Sequence, residues 1–401
     1  FWKKCKATAL LRINSAGTVL MKNLTNESRY LLYVIRSAVK QQKIDPPSEA
    51  LDWDEFFALS KKNEIFSLVT TALPTEYLPR DLAQKFDNFT KSEMVRIIAM
   101  NNELSTVEKL LNEHGVKYML LKGSVIRNLY PKQLMRQMSD VDILYDVAKR
   151  GDVFEIMDSL DYPKPFESGN SDDFHKKPYY TFEFHNRLFK DSYGFCPDFG
   201  FVWDRATVSD DKPCCLKMSN SDLYLHNIAH MYKHYMIGGF GVRFLIDTYL
   251  ILKKCSLDFD FINQKIEEMK LTDFESTIRH LSLDLFDSEL NENQEELICK
   301  ILSDGVFGSL DSDNSTRNIE EIYHRFTQDN GRGNLFKYIL KRIFISPSRL
   351  KAIYPELNSK KYLFLYYYIK RFFDKGIHGA KKIADEAKQI KQIKNKDIEE
   401  K

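Results

Sequence analysis

Hydrophobic residues recur at helical spacing through the first hundred residues of the chain. The stretch NESRYLLYVIRSAVKQQ, which begins at Asn26, carries four apolar side chains on one helical face: Leu31, Leu32, Ile35 and Val39. Residues 52–73 and 91–115 show the same period, and Gly115 suits the left-handed residue that ends a helix. The pattern predicts a helical region before residue 116.

The pattern then changes to short apolar segments compatible with β-strands. VKYMLL, MSDVDILY and YYTFEFHNRLF predict three strands, and SVIRNLY and AKRGDVFEIMDSLDY predict helices between them. From Ser221, a plausible N-cap, the stretches SDLYLHNIAHMYKHYM and GVRFLIDTYLILKKC are helical again. The predicted fold class is therefore α+β, with a small mixed β-sheet core flanked by N- and C-terminal α-helical regions.

These changes of pattern suggest boundaries along the chain. We expect an N-terminal extension over residues 1–20 and a helical region over 21–115. A mixed core over 116–210 is followed by a helical C-terminal domain over 211–350 and a basic helical tail over 351–401. Met21 is a candidate start, and the stretch before it has no clear signal-peptide core.

The C-terminal tail is basic and partly aromatic. After residue 350 there are 13 Lys or Arg against 7 Asp or Glu, a balance typical of a solvated helix or a frayed end. Residues 362–373 are interpreted as a bundle helix with a basic rim, with weak peripheral membrane contact as the alternative. The longest apolar run, residues 362–369, is too short for a transmembrane segment.

Charge and cysteine content narrow the function classes. The 59 Lys and Arg nearly balance the 57 Asp and Glu, which gives no support for a protein that coats nucleic acid. The six cysteines form no CxxC pair and have no histidine at zinc-finger spacing. We therefore expect reduced thiols and a cytoplasmic location.

Two aspartates stand out in the second predicted strand. Side chains alternate along a strand, so Asp140 and Asp142 point the same way, with Cα atoms roughly 6.6 Å apart. Two buried like charges are costly unless a cation lies between them, and Mg²⁺ prefers oxygen ligands. Glu183, in the third predicted strand, is the candidate third carboxylate, whereas Asp146 at the strand end is interpreted as solvated.

A DxD pair alone is weak evidence, because two aspartates at this spacing are usually structural or solvated. The upstream turn at Gly123 and Ser124 makes the combination more specific. Glycine allows close backbone approach, and the following helix would present free N–H groups to an anion. A phosphate bound there would lie beside a metal held by the aspartates.

These residues carry a family resemblance. LLKGSVIRNLYPKQLMRQMSDVDIL resembles the glycine-serine and DxD signature of the DNA polymerase β-like nucleotidyltransferases, and more closely the uncharacterised nucleotidyltransferase family within that superfamily. Four later segments resemble that family's blocks in order: FEFHNRLF, FVWDRA, SDLYLHNIAHMYKH and GFGVRFLIDTYLIL. The resemblance covers residues 25–375 loosely and 117–251 well. Fifteen residues separate Ser124 from Asp140, slightly more than in the broader pattern, and the connection carries an arginine, Arg136.

The resemblance implies a Mg²⁺-dependent transfer of a nucleoside monophosphate from an NTP donor to an acceptor, with pyrophosphate release. Mn²⁺ is the alternative metal. The implied catalytic and metal-binding residues are Asp140, Asp142 and Glu183, the last as a ligand or as the base that deprotonates the acceptor. The implied nucleotide-binding residues are Lys122, Gly123, Ser124, Arg136, His185 and His230, with His185 alternatively orienting Glu183.

The first predicted helix after residue 220 carries a stripe of histidines. His226, His230 and His234 fall on one helical face. Three ligands over two turns span about 12 Å, too far for one undistorted metal site. A lining of the active-site cleft and a polar helix interface stay open as alternatives. Arg243 and Asp247, one turn apart, are predicted to pair with each other.

The acceptor is not specified by the sequence, which allows a small molecule, a sugar intermediate, a protein or a tRNA. Two other functions compete: a non-catalytic nucleotide-binding regulatory protein on the same fold, and a toxin-like enzyme that modifies a protein or tRNA. We also expect at least one clustered carboxylate to have a raised pKa, and Asp142→Asn to leave stability unchanged or higher.

Overall fold

The computed structural model describes residues 24–305 with gaps at 168–169, 179 and 190–198, together with residue 363. Internal contacts divide the chain into two compact units, residues 1–234 with 239–307, and 235–238 with 308–401. The second unit contributes only residues 235–238 and 363 to the described part. The predictions for residues 1–20, 351–401 and 362–373 therefore lie outside it.

The N-terminal region is helical, as predicted. Its helices are α1 (Asn26–Lys40), α2 (Trp53–Lys62), α3 (Phe66–Ala72) and α4 (Arg80–Glu113). Side-chain oxygens of Thr25 and Asp52 cap α1 and α2 by accepting backbone N–H groups of the first turn. Gly115, with φ +64°, follows α4 in the left-handed conformation that the sequence suggested.

A seven-stranded mixed sheet forms the core. Its strands are β1 (Tyr118–Leu120), β2 (Val141–Tyr145), β3 (Phe166–Glu167), β4 (Ser171–Lys176), β5 (Tyr180–His185), β6 (Thr207–Ser209) and β7 (Lys212–Lys217). Their order is β3-β4-β5-β2-β1-β7-β6. The neighbouring pairs are antiparallel except β1 with β7 and β2 with β5, which are parallel. The three predicted strands are β1, β2 and β5, and the sequence interpretation missed the other four.

Three shorter helices connect the strands: α5 (Gly123–Ile126), α6 (Arg150–Ser159) and α7 (Phe201–Arg205). One face of the sheet packs against α4 and α6. The shared core includes fully buried aromatic side chains of the strands: Tyr118, Tyr145, Phe174, Phe182 and Phe184. Burial of such rings contributes roughly 1.5–3 kcal/mol each, which makes this face the stable base of the sheet.

The chain then returns to helices, as predicted: α8 (Asn220–Ile237), α9 (Arg243–Lys254), α10 (Phe259–Glu268), α11 (Thr272–Asp287) and α12 (Glu292–Asp304). The N-cap of α8 differs from the prediction. Ser219 accepts the Asp222 N–H at 3.2 Å, whereas the Ser221 hydroxyl accepts the Asp258 N–H. The described part of the chain contains no helix long and apolar enough to cross a membrane.

Candidate active site

The parallel pairing of β2 with β5 brings two carboxylates side by side. Asp142 of β2 and Glu183 of β5 are direct register partners, so both side chains leave the same face of the sheet. Asp140 lies two residues before Asp142, just outside the strand. The sequence named Glu183 as the candidate third carboxylate in the next predicted strand; strands β3 and β4 intervene along the chain, but β5 is the neighbour of β2 in the sheet.

A histidine joins the two carboxylates. One ligand atom from each of Asp142, Glu183 and His185 lies within 4.8 Å of the others. His185 Nε2 is 2.8 Å from Asp142 Oδ1 and 3.5 Å from Glu183 Oε2. Asp142 and His185 are buried, whereas the Glu183 side chain keeps 28% exposure. Because its contacts are with these carboxylates, His185 is placed to orient them.

Lys122 also neutralises Asp142. Its ammonium forms an ion pair with Asp142 Oδ1. The Lys122 backbone is left-handed, with φ 47° and ψ −123°, and the Leu121 N–H donates to the Asp142 carbonyl at 3.0 Å. The unusual turn therefore holds the ammonium over the end of β2.

The two aspartates have opposite electrostatic environments. Burial raises the pKa of Asp140, and repulsion from Asp142 and Glu183 raises it further, to about 7. Burial opposes ionisation of Asp142 as well, but Lys122 and His185 outweigh it and hold the pKa of Asp142 below its usual range. The expectation of a raised pKa is met at Asp140.

The carboxylates open into a cleft of about 250 Å³. Strand β2 and the residue before Val141 supply Asp142 and Asp140 to its wall, the turn between β1 and α5 supplies Lys122, and β5 supplies Glu183. Helices α8 and α9 supply other lining side chains, among them the three histidines of the predicted stripe. Of the alternatives for that stripe, the structure favours the lining of the cleft.

Burial keeps the histidines of the stripe neutral. It is the largest cause that lowers the pKa of His226 and of His234, each to about 3, and nearby Lys122 and Lys233 add to it. The pKa of His230 is also far below its usual value for the same reason. These rings present neutral nitrogen atoms to the cleft at physiological pH.

The turn at Gly123 and Ser124 differs from the expected anion site. Helix α5 has four residues, and the Ser124 and Val125 N–H groups already donate to Leu121 and Lys122 carbonyls. A side chain at Gly123 would meet Met138 at 2.8 Å, which explains the glycine by packing. The buried Ser124 hydroxyl lines a neighbouring cavity of about 20 Å³ rather than the cleft. The free N–H groups predicted for a phosphate are therefore largely used inside the turn.

Arg136 is held by a buried network. Its guanidinium binds the Asp247 carboxylate in a bidentate manner, with N–O distances of 2.8 and 2.8 Å, and its Nη1 donates to the Gln137 carbonyl. The Tyr130 hydroxyl donates to the same carboxylate at 2.7 Å. This network connects the loop that precedes Asp140 to α9. The contacts of Arg136 therefore hold that loop in position.

The predicted pairing of Arg243 with Asp247 is wrong. Arg243 forms its ion pair with Glu64, which lies between α2 and α3, because Asp247 is occupied by Arg136. Helical spacing allows an ion pair one turn apart but cannot reveal a stronger partner that folding brings from elsewhere in the chain.

One carboxylate near the site was missed. Asp173 of β4 is the register partner of Glu183, which extends the row from Asp142 to a third strand. Burial and repulsion from Glu183 raise the pKa of Asp173, despite a hydrogen bond from Ser171 at 2.7 Å. The segment SDDFHK lacks the β-branched residues that mark strands, so no sequence signal indicated that Asp173 would lie beside Glu183.

Comparisons with known proteins were consistent with the earlier resemblance. The sequence model of a family described as "Uncharacterised nucleotidyltransferase" matches residues 49–287, which is more than half of the chain and includes every cleft residue named above. No curated protein matches the chain. A solved structure, the solution structure of the antibiotic-resistance factor ANT(2'')-Ia, matches at 12% identity with a TM-score of 0.31, covering 44% of this chain and 92% of that one. A likeness of that size supports no inference about this chain.

Proposed function

Because the chain belongs to the family of uncharacterised nucleotidyltransferases, we propose that it transfers a nucleoside monophosphate from an NTP to an acceptor in a Mg²⁺-dependent reaction. The observation that carries the proposal is the register pairing of Asp142 with Glu183 beside Asp140 in one cleft. Carboxylate oxygens from neighbouring strands are the hard ligands that Mg²⁺ prefers.

The donor set fits such an ion. Asp140, Asp142 and Glu183 would hold it, and the partial exposure of Glu183 keeps one carboxylate open to the cleft. When bound, Mg²⁺ stabilises the charge that develops on phosphate oxygens during transfer. Mn²⁺ is the alternative, because an imidazole nitrogen of His185 lies among the same carboxylates.

The chain's own groups would divide the remaining work. An acceptor oxygen forms a bond to the α-phosphorus as the bond to pyrophosphate breaks, and the acceptor proton must leave. Glu183 would take that proton or serve as the third ligand, since its carboxylate reaches the cleft. Lys122 can move its charge from Asp142 to a phosphate oxygen, because its side chain keeps 21% exposure in the same cleft.

The proposed acceptor is a small hydroxylated molecule, a sugar intermediate, a protein or a tRNA. We also propose a cytoplasmic setting, which suits an NTP donor and the free thiols of the described Cys214, Cys215, Cys255 and Cys299.

The test is incubation with each labelled NTP, Mg²⁺ and separate pools of metabolites, proteins and tRNA. We expect one NTP to give pyrophosphate release and label transfer to one pool. A matched control is Asp146→Asn, since Asp146 belongs to the same stretch but only caps a 3₁₀ turn and should leave the rate unchanged. NTP binding without pyrophosphate in any pool would favour the regulatory alternative, and no NTP binding at all would refute the proposal.

Affinity for Mg²⁺ should fall as the pH drops below about 7. The raised pKa of Asp140 means that a proton competes with the ion, at about tenfold in affinity per pH unit for one displaced proton. Calorimetry at several pH values, in two buffers of different ionisation enthalpy, measures both the affinity and the released proton. Asp140→Asn should abolish the proton release. An affinity that stays constant from about pH 5.5 to 8 would contradict this assignment.

A further inference from the structure

The three histidines on α8 are not equivalent. The rings of His226 and His230 have centroids 6.0 Å apart and planes 27° apart, which is a loose parallel arrangement. The rings of His230 and His234 are closer, with centroids 4.7 Å apart and planes nearly perpendicular at 88°. The last two histidines therefore form a distinct pair.

The facing atoms of this pair are both Nε2, and they lie 3.3 Å apart. That separation lies at the long end of the hydrogen-bond range, since an N–H···O bond is usually about 2.9–3.0 Å. Two nitrogens bound to one tetrahedral Zn²⁺ at about 2.0–2.1 Å stand roughly 3.3 Å apart. The observed separation thus matches two lone pairs that share one cation.

We infer that His230 and His234 form a binding site for a borderline divalent cation such as Zn²⁺, separate from the carboxylate site. The two residues are one helical turn apart, a spacing that places both rings on one face of α8. Both rings line the cleft, so an ion can reach them from solvent. The inference does not depend on the proposed transfer reaction.

The electrostatics of the pair and of the cleft support a cation. A metal-binding imidazole must be neutral, and burial lowers the pKa of both histidines well below 7. Lys233 lies near the pair and opposes a positive ion. The residues that line the cleft include five carboxylates and four Lys or Arg, but Glu64 and Asp247 already pair with Arg243 and Arg136, so the cleft as a whole has only a small excess of negative charge.

The two sites should prefer different metal ions, because their ligand atoms differ. Oxygen ligands suit Mg²⁺, whereas imidazole suits Zn²⁺, Co²⁺ and Ni²⁺. In the described part of the chain, the group of three side chains that could hold a metal is Asp142, Glu183 and His185. The pair of His230 and His234 therefore has no third protein ligand among the described residues. A tetrahedral ion on the pair would keep two positions for water or for an oxygen atom of a reactant, as catalytic zinc sites keep open positions.

The test is Zn²⁺ binding to the full chain in excess Mg²⁺, without nucleotide, followed by calorimetry and X-ray absorption. We expect one Zn²⁺ that His230→Gln or His234→Gln weakens at least about tenfold and the double variant abolishes. His226→Gln and Asp142→Asn should keep the binding. The absorption data should show nitrogen ligands at about 2.0–2.1 Å, with the imidazole signature lost in the double variant.

Thermal unfolding of each variant shows whether it is folded. If the double variant does not fold, the two single variants still decide the test. Unchanged Zn²⁺ binding in either single variant, or equal loss in His226→Gln, would overturn the inference. Loss in Asp142→Asn alone would place the ion at the carboxylates and would also overturn it. No Zn²⁺ binding by the wild type would leave the pair as a histidine–histidine hydrogen bond. None of these outcomes depends on pyrophosphate release.

Discussion

Asp142→Asn and Asp140→Asn should each reduce nucleotidyl transfer by at least about three orders of magnitude, yet shift the stability of the metal-free protein in opposite directions. Each substitution keeps the shape of the side chain and removes a negative charge that the metal needs in the transition state. A loss of rate in both variants would support the assignment of the two aspartates to the active site. Stability shifts of opposite sign would support the assigned difference in their electrostatic environments.

Asp142→Asn should destabilise the metal-free protein. The carboxylate accepts from the Lys122 ammonium and lies 2.8 Å from His185 Nε2, so the substitution leaves the buried ammonium without its counter-charge. Breaking a fully buried pair costs roughly 3–5 kcal/mol. Because Lys122 is partly exposed, we expect about 2–3 kcal/mol here. This reverses the sequence-based expectation that Asp142→Asn leaves stability unchanged or higher.

Asp140→Asn should stabilise the metal-free protein at pH 8. A folded pKa of about 7 lies above the ordinary value of 3.8, so ionisation of Asp140 costs stability progressively from about pH 4 to 7. The gain is at most about 4 kcal/mol, from roughly 1.4 kcal/mol per pKa unit, and it should vanish below pH 4.

Urea unfolding with chelator at pH 4, 6 and 8 measures these shifts, and pyrophosphate release with Mg²⁺ measures the rates. Shifts of the same sign for both variants at pH 8 would show that the assigned charge pattern is wrong. A variant that keeps more than about a tenth of the wild-type rate would remove its aspartate from the proposed chemistry.

Asp247→Asn should cost about 3–5 kcal/mol of folding free energy, the largest stability effect that we expect from a single polar substitution. It leaves the Arg136 guanidinium, 6% exposed, without its bidentate partner, and it weakens the Tyr130 hydrogen bond. The loop before Asp140 should loosen as a result, so the Mg²⁺ requirement should rise before the protein unfolds.

Two control substitutions should have smaller effects on the folding free energy. Glu64→Gln breaks the Arg243 pair, in which both partners are more exposed, and should cost about 1 kcal/mol. Tyr130→Phe removes a single hydrogen bond, at about 0.5–1.5 kcal/mol. Urea unfolding compares the three variants. If Asp247→Asn costs no more than Glu64→Gln, the buried network does not anchor the loop.

The sequence could predict features that depend on local periodicity. The helical flanks and three strands follow from such spacing, whereas the register that places Glu183 beside Asp142 does not. Strands β4 and β7 were not predicted because SDDFHK and KPCCLK consist mostly of polar or small side chains, even where the strand is buried, as at Ser171 and Asp172. The strand period was present, but too few residues were hydrophobic to reveal it.

The partners of the charged side chains could not be predicted from the sequence. Arg136 and Asp247 are 111 positions apart, and no local pattern links them. The same holds for Lys122, whose left-handed backbone turns the ammonium onto Asp142, and this pairing decides which aspartate has the raised pKa. The roles assigned to the cleft residues stay predictions until the substitutions above are measured.

The parallel pairing of β2 with β5 also determines when the site comes into existence as the chain folds. Strands β4 and β5 are antiparallel neighbours with only three residues between them, so their pairing closes a short loop at low entropic cost. Asp142 and Glu183 are 41 positions apart, and their strands can align only after this much larger loop has closed. A nascent chain that has emerged from the ribosome only as far as β4 contains both aspartates but lacks the strand that completes the carboxylate row. Any metal affinity of the carboxylate row would therefore arise only after β5 has been synthesised and has paired with β2, as a property of the assembled sheet.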